Sequence, residues 1–237
     1  DVLVAPAMGK GAITDDEVLD WATRALTKCS TRNRQWYEGV AEGSGWPINN
    51  VCFLDHLMEF GVYQSKIHSF AGCTTILSWG GHSADGNMYI GRNMDWSGEF
   101  NEFPQVMTVR KPTNGDFRYA TAGWPGMYCA FTALNEHGVY LDVHDGTSVG
   151  GSLIYTERAS ILNGLTDLMS ECASLQSLVT RLNTVNNSAS MILSIGDEDS
   201  GASMECSSLA GNRVRLPEGE SFVVVNTFLG SAWGMAG

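Results

Sequence analysis

The chain has 237 residues, of which 43% are hydrophobic, and its formal net charge is −12. This length and composition are enough to bury a sizeable core, so we expect one domain with an N-terminal extension. The acidic balance disfavours nucleic acid and anionic membrane surfaces as partners. In the sequence, no apolar run approaches the roughly 20 residues that a membrane-spanning helix needs.

The first 72 residues have a helical pattern. Thr14, followed three positions later by Glu17, is the signature of a capping box, and the apolar face after it ends near Lys28. Two further helices are predicted over 35–42 and 48–63. Because these helices are amphipathic, they must pack on another part of the chain. The segment is interpreted either as an ordinary helical layer or as a propeptide that becomes a small subunit.

A β-hairpin is predicted directly after this segment. Residues 73–79 and 87–96 are β-prone, and a run of turn-forming residues separates them. If the hairpin folds about a midpoint near Ser83, Thr74 pairs roughly with Arg92. Cys73, at the start of the first strand, should then lie beside Arg92 and Asp95 at the end of the second.

The remaining pattern alternates between strands and helices. Strands are predicted over 105–110, 117–122, 126–134 and 139–145, and again over 191–195, 202–207 and 221–226. Between the two groups, helical spacing covers 156–171, and Ser174 is a good N-cap for a second helix. Strands, then two helices, then strands predict a layered α+β domain.

The residues around Cys73 indicate nucleophilic chemistry. An ordinary thiol has a pKa of about 8.5, and a neighbouring Arg92 would favour the reactive thiolate. In the pattern, no histidine is an evident base. If the Gly72–Cys73 bond is cleaved, the freed α-amino group of Cys73, with a pKa of about 7.7 to 8.0, supplies the base. Asp95 would hold this amine, and Gly72 leaves the attacked carbonyl unobstructed.

These residues also resemble a known family. Cys73-Thr74-Thr75, together with the block Gly-Arg-Asn-Met-Asp-Trp at 91–96, is similar to the linear amide C–N hydrolases of the choloylglycine hydrolase superfamily, which are N-terminal nucleophile hydrolases. The family includes bile salt hydrolases, penicillin V acylases, acid ceramidase, N-acylethanolamine acid amidase and isopenicillin acyltransferases. Two weaker matches lie at 135–139 and 226–228, and the resemblance covers roughly residues 73–230.

The resemblance implies a fold and a division of the chain. The implied fold is α+β, a four-layer αββα sandwich with an N-terminal helical extension. Residues 1–72 would be the propeptide or small subunit, and 73–237 the catalytic domain. Since the relatives continue beyond the match at the strand end near Asn226, we expect the catalytic domain to be truncated at its C-terminus.

The resemblance also implies a role for each site residue. Cys73 would be the nucleophile and, through its freed amine, the base. Arg92 would steady the thiolate, Asp95 the amine, and Asn226 the oxyanion or substrate carbonyl. Asp145 is the nearest match to a family asparagine, although an ionised aspartate cannot donate a hydrogen bond to an oxyanion.

The implied activity is hydrolysis of a linear amide through a thioester, without a metal or organic cofactor. The expected partner is a small-molecule N-acyl amide, and self-association is left open. An acyltransferase that uses the same thioester, and a catalytically silent relative that only binds a ligand, are the alternatives. A periplasmic, secreted or lysosome-like location is favoured over a cytoplasmic one.

Aromatic residues near the predicted site suggest where an acyl group binds. Trp96, Phe100, Phe103 and Trp124 lie in loop-like segments at the ends of predicted strands. Aromatic side chains on such loops can line an apolar pocket, so we expect these four to contact the substrate.

Two other patterns concern a possible metal site and possible disulfides. Asp142 and His144 share one strand face and could hold a metal, but a buried, hydrogen-bonded histidine is commoner and the pattern has no third ligand. The six cysteines lack the spacing of a zinc site. If Cys73 is catalytic, at most two disulfides can form, and Cys29 with Cys52 is the expected local pair.

Overall fold

The computed structural model describes residues 13–64, 72–95, 100 and 102–233, with the backbone alone for 62–64. The helices of this part are α1 (Asp15–Lys28), α2 (Thr31–Ser44), α3 (Ile48–Asp55), α4 (Leu57–Gln64), α5 (Thr147–Gly150), α6 (Ile161–Glu171) and α7 (Leu175–Leu182). Its strands are β1 (Cys73–Gly80), β2 (Gly86–Met94), β3 (Val106–Arg110), β4 (Tyr119–Gly123), β5 (Thr132–Asn135), β6 (Tyr140–Asp145), β7 (Met191–Gly196), β8 (Gly201–Ser207), β9 (Gly211–Arg215) and β10 (Ser221–Val225). Within the described ranges, no helix is long and apolar enough to cross a membrane.

The strands form two antiparallel sheets. The small sheet has the order β10-β1-β2, and the large sheet runs in sequence order from β3 to β9. The small sheet packs on one face of the large sheet, and α6 and α7 cover the opposite face. Side-chain alternation along β7 shows this division, because Leu193 belongs to the core under the helices and Ile192 to the core between the sheets.

The predicted hairpin is formed by β1 and β2, with Thr75 opposite Arg92 and Cys73 opposite Met94. This register differs by one residue from the predicted pairing of Thr74 with Arg92, because the ladder is irregular between positions 78 and 80 near the turn. Since side chains alternate across a strand, the shift has a large consequence. It places Arg92 on the same face as Cys73, whereas the predicted pairing would have put them on opposite faces.

The inner face of β1 fixes how closely the two sheets approach. Cys73, Thr75, Leu77 and Trp79 are buried, and the residues between them are more exposed. The Leu77 side chain packs against Gly196 and Gly201 of the large sheet. A Cβ atom added at Gly196 would lie 3.2 Å from Cδ2 of Leu77, and one added at Gly201 would lie 2.8 Å from it. The two glycines therefore let Leu77 enter the large sheet.

The mixed α+β class and the stacking of the two sheets are confirmed. The order of layers in the described part is helices, large sheet and small sheet. The outer face of the small sheet carries half-exposed apolar side chains, including Ile76 and Val223, which are 51% and 47% exposed. No described helix covers that face.

The helical segment α1–α4 has a core of its own and is joined to the sheet domain by buried polar groups. The capping box at Thr14 and the helix end at Lys28 are confirmed. The predicted helix 48–63 is interrupted at His56, which separates α3 from α4. Asp55 accepts hydrogen bonds from the backbone N–H groups of Tyr128 and Cys129, at 2.6 and 2.8 Å. The segment therefore packs on the rest of the chain, as its amphipathic pattern predicts.

Several other elements also differ from the sequence prediction. The predicted strand 126–134 begins only at Thr132, because Asp55 and the Thr166 hydroxyl, rather than a neighbouring strand, take the backbone donors of residues 128–130. The helix predicted from 156 begins only at Ile161. Before it, the backbone N–H of Tyr155 donates a hydrogen bond to the carbonyl of Ser188. Strand β9 was missed because its sequence has no apolar alternation.

The predicted Cys29–Cys52 disulfide is wrong. All six cysteines lie in the described part of the chain, and each is a free thiol. The Sγ atom of Cys29 points to the carbonyl of Leu26 at 3.4 Å, and that of Cys52 to the carbonyl of Ala22 at 3.9 Å. The two thiols therefore face different turns of α1. They contact carbonyls one turn apart on α1 rather than each other.

The packing between the sheets gives a stability prediction. Leu77→Ala should lower the free energy of unfolding by about 2 to 5 kcal/mol, because Leu77 is fully buried between the sheets. Ile76→Ala is the matched control on the same strand, and its half-exposed side chain should cost less than about 1 kcal/mol. Urea titrations of both variants provide the measurement. Equal losses would contradict the assigned faces of β1.

Candidate active site

Three strand ends meet at Cys73. Its side chain, on the inner face of β1, is only 5% exposed. Its backbone nitrogen donates to Oδ1 of Asn226, just after β10, at 2.5 Å. Nδ2 of Asn226 in turn donates to the carbonyl of Asp145, the last residue of β6, at 2.9 Å. The structure thus brings together three of the predicted site residues, and both ends of the Asn226 amide are engaged there.

Asp95 lies beside the peptide bond that precedes Cys73. Its backbone N–H donates to the carbonyl of Gly72 at 2.7 Å. A Cβ at position 72 would lie 3.2 Å from Oδ2 of Asp95, so glycine lets the carboxylate approach. Nδ2 of Asn93 donates to Oδ1 of Asp95 at 2.7 Å and fixes its orientation. The carbonyl that would be attacked in self-cleavage therefore already accepts a hydrogen bond.

Arg92 connects the small sheet to the large sheet. Its side chain is 8% exposed. Nη1 donates to the Phe131 carbonyl at 2.8 Å and to the hydroxyl of Thr132, and Nη2 donates to the Val143 carbonyl at 2.6 Å. These contacts hold the guanidinium on the inner face that it shares with Cys73.

The thiol of Cys73 is subject to opposing influences. Burial raises its pKa above the ordinary value, and the positive charge of Arg92 acts against this rise. Asp142 and Asp95 add smaller contributions that raise the pKa. The net direction is upward, so the thiol needs a base before it can attack.

A buried polar network lies behind Cys73. Oδ2 of Asp142 accepts from the hydroxyls of Thr75 and Tyr140, at 2.6 and 2.7 Å, and lies 3.8 Å from Nε of Arg92. Nε2 of His144 lies 2.9 Å from Oδ1 of Asp142. Burial would raise the pKa of Asp142, but His144 and Arg92 together hold it below its usual value. The carboxylate therefore stays ionised in the core.

Both residues of the pair that the sequence suggested for a metal take part in this network. Nε2 of His144 also lies 2.9 Å from Oγ of Ser194 and 3.2 Å from Oγ1 of Thr75. In the described ranges, no group of three or more histidine, cysteine or acidic side chains could hold a metal ion. The sequence offered a signal for the network, since Asp142 and His144 occupy alternate positions of β6, on either side of the apolar Val143.

A cavity of about 70 Å³ opens beside Cys73. Its described lining consists mostly of aliphatic and methionine side chains with a few polar groups, namely Met58, Glu59, Cys73, Met94, Phe131, Val143, His144, Asp145, Ile154, Ile161, Leu162, Ala189, Ser190 and Met191. Met58 and Glu59 come from α4, so the helical segment contributes to this cavity. Their participation was missed because nothing in the sequence connects α4 with a residue of β1.

Of the four aromatic residues predicted to contact the substrate, three are absent from the described lining of the Cys73 cavity and one lies outside the described residues. The rings of Phe100 and Trp124 pack edge to face at 4.9 Å, and Nε1 of Trp124 donates to the Phe100 carbonyl. Phe103 packs against the same core. Trp96 lies outside the described residues. The described lining of the Cys73 cavity does not include the first three, and the role of all four as substrate contacts stays a prediction.

Comparison with known proteins finds similarity of fold alone. No family model matches the chain, and no curated protein matches it. Among solved structures, the N-acylethanolamine-hydrolyzing acid amidase ortholog of Caenorhabditis elegans is 14% identical with a TM-score of 0.48, over 66% of this chain and 70% of that one. A mutant conjugated bile acid hydrolase from Clostridium perfringens is 15% identical with a TM-score of 0.47, over 68% of this chain and 55% of that one.

A third solved structure, the penicillin V acylase from Agrobacterium tumefaciens, is 16% identical with a TM-score of 0.39, over 65% of this chain and 49% of that one. The matched region thus spans about half the length of the two bacterial enzymes. The function of this chain is therefore inferred from its own residues.

The electrostatics of the site can be tested by removing the charge of Arg92. Arg92→Gln should raise the pKa of the Cys73 thiol further, because the positive charge that opposes burial is lost. The pH dependence of alkylation at Cys73, followed by mass spectrometry of its peptide, gives this pKa. Arg118→Gln, at an exposed ion pair with Glu136, is the control and should leave the profile unchanged. An unchanged profile in Arg92→Gln would show that this guanidinium does not act on the thiol.

Proposed function

We propose that this chain is a self-processing cysteine amidohydrolase that cleaves linear amide bonds through a thioester. One arrangement carries the proposal: a buried thiol follows a carbonyl that already accepts a hydrogen bond, and a side-chain amide holds the nitrogen between them. These contacts, at Gly72, Cys73, Asp95 and Asn226, belong to the peptide bond that self-cleavage would break. An ordinary buried cysteine has no need of them.

Self-cleavage begins with attack of the Cys73 sulfur on the carbonyl carbon of Gly72. A bond forms between sulfur and carbon, the bond between carbon and the Cys73 nitrogen breaks, and the thiol proton ends on that nitrogen. The Asp95 N–H, which donates to the Gly72 oxygen, stabilises negative charge that develops there. Water then hydrolyses the thioester, releasing the Gly72 carboxylate and a Cys73 that has both a thiol and an α-amino group.

The freed amine then serves catalysis. Its pKa of about 7.7 to 8.0 lets it accept the thiol proton near neutral pH, which a raised thiol pKa makes necessary. Oδ1 of Asn226 accepts a hydrogen bond from this nitrogen. We assign the Asp95 carboxylate as a second group that orients the amine, and Arg92 as the cation that steadies the thiolate. The amine hands its proton to the leaving group as the substrate acyl group passes to sulfur.

The helical segment belongs to the proposed enzyme after cleavage. Met58 and Glu59 line the cavity beside the thiol, and Asp55 ties α3 to the backbone before β5. Arg32 of α2 adds ion pairs to Asp116 and Asp167, at 2.6 and 2.7 Å. Losing the segment would open the cavity and remove the ion-pair partner of Asp116 and Asp167. We therefore favour the small-subunit interpretation of residues 1–72 over a discarded propeptide.

The first test is the cleavage itself. The wild-type chain should yield a fragment of 72 residues and one made of the other 165 of its 237 residues. Edman degradation of the larger fragment should read Cys-Thr-Thr. Cys73→Ala should remain a single chain, because the attacking sulfur is gone. Cys129→Ala, which removes another buried thiol, is the control and should still be cleaved.

Two results would contradict this proposal. A larger fragment that begins at any other residue would remove the link between cleavage and the thiol. Cleavage of Cys73→Ala at the same bond would show that another nucleophile, or a contaminating protease, acts there.

A further inference from the structure

The cavity beside Cys73 has a buried acidic group among its lining residues. Glu59, on α4, is 7% exposed. Its Oε2 accepts from the hydroxyl of Ser160 and its Oε1 from the hydroxyl of Ser188, each at 2.5 Å. Both serines directly precede residues that line the cavity, Ile161 and Ala189. Glu59 therefore lies where the start of α6 and the segment before β7 close the cavity.

The carboxylate of Glu59 can accept further hydrogen bonds beyond the two from the serine hydroxyls. A carboxylate offers about four lone-pair positions, and the two serines occupy two of them. In the described part of the chain, the ion-pair partner of Glu59 is His56, whose Nδ1 lies 3.9 Å from Oε2, and no lysine or arginine reaches it within 4.0 Å. Glu59, its two serine partners and His56 also line a smaller neighbouring cavity that includes Arg24 and Arg158, so the basic side chains lie on that side of the carboxylate and not in the described lining of the Cys73 cavity.

The size and lining of the cavity limit what it can hold. Its volume of about 70 Å³ is roughly half that of a 150 Å³ cavity that accommodates benzene, so it suits a chain of about three or four carbons. The thiol and Glu59 both belong to a lining that is otherwise mainly apolar, which includes Met94, Val143 and Leu162.

We propose that this cavity is the acyl site and that Glu59 selects short acyl groups whose far end carries a hydrogen-bond donor, a hydroxyl or an ammonium group. This inference rests on the proposed function, because it assigns the acyl group of the substrate to the cavity. An alkyl group of the same length would leave the remaining lone pairs of Glu59 desolvated and unpaired. An acyl group that ends in a carboxylate would be repelled.

The selectivity can be measured with a matched series of substrates. N-butyryl, N-(4-hydroxybutyryl), N-(4-aminobutyryl) and N-succinyl amides of one amine differ only at the end of the acyl chain. For the wild-type enzyme, kcat/KM should be about tenfold or more higher with the hydroxyl and ammonium groups than with butyryl, since a hydrogen bond to a charged group supplies that factor. The succinyl amide should be the poorest substrate. Comparing the hydroxyl substrate with the ammonium substrate separates the effect of a hydrogen bond from the effect of a positive charge.

Two variants separate the role of Glu59 from general stability. Glu59→Gln keeps the size of the side chain and should abolish the advantage of the ammonium substrate. Asp167→Asn is the control, because Asp167 also ties the helical segment to α6, through Ser30 and Arg32, but is not in the described cavity lining. This control should keep the wild-type order of substrates. If Glu59→Gln does not fold, the order of substrates with the wild-type enzyme decides.

Calorimetric binding of the matching product acids, butyric, 4-hydroxybutyric and 4-aminobutyric acid, to the cleaved wild-type enzyme gives a readout that needs no turnover. Tighter binding of the hydroxyl and ammonium acids than of butyric acid would support the assignment. Equal affinities, or a preference that survives Glu59→Gln, would overturn it. Turnover without any preference would overturn this inference and leave the proposed function standing, whereas a protein that is never cleaved or acylated would overturn the proposed function itself.

Discussion

The arrangement around Cys73 depends on the contacts between the buried guanidinium of Arg92 and the large sheet. A charge of this kind is costly to remove from water unless it is paired and hydrogen-bonded. Here the large sheet supplies two carbonyls and a hydroxyl, and Asp142 supplies an opposite charge at 3.8 Å. Because Arg92 belongs to the small sheet and its partners to the large one, the same contacts align the two sheets where the thiol lies.

The helical segment gives the thiol its surroundings. The small sheet and the large sheet place Cys73, Arg92 and Asn226, but α4 contributes Met58 and Glu59 to the adjacent cavity. The segment is held by Asp55, a buried carboxylate that accepts two backbone N–H groups and the hydroxyl of Tyr37. Removing such a partner would leave buried donors unsatisfied, which costs more than the hydrogen bonds contribute. A break in the chain near residue 72 would leave these contacts in place.

The sequence predicted local features well and long-range contacts poorly. The capping box at Thr14, the cap at Ser174 and the β1–β2 hairpin depend on neighbouring residues, and the structure has all three. The Asp142 network and the contribution of Glu59 were not predicted, because each joins elements that are far apart in sequence. The hairpin register was wrong by one residue, since an irregularity in the ladder cannot be read from turn-forming residues. The predicted Cys29–Cys52 disulfide was also wrong, because the two thiols contact carbonyls one turn apart on α1 and not each other.

The central claim is that the sulfur of Cys73 carries the acyl group. The most direct measurement is the intact mass of the wild-type protein, quenched in acid during turnover of an N-acyl amide. The account predicts that the larger fragment gains the mass of one acyl group, that peptide mapping places it on Cys73, and that hydroxylamine removes it. Turnover without an adduct on Cys73, or an adduct on a different residue, would contradict it.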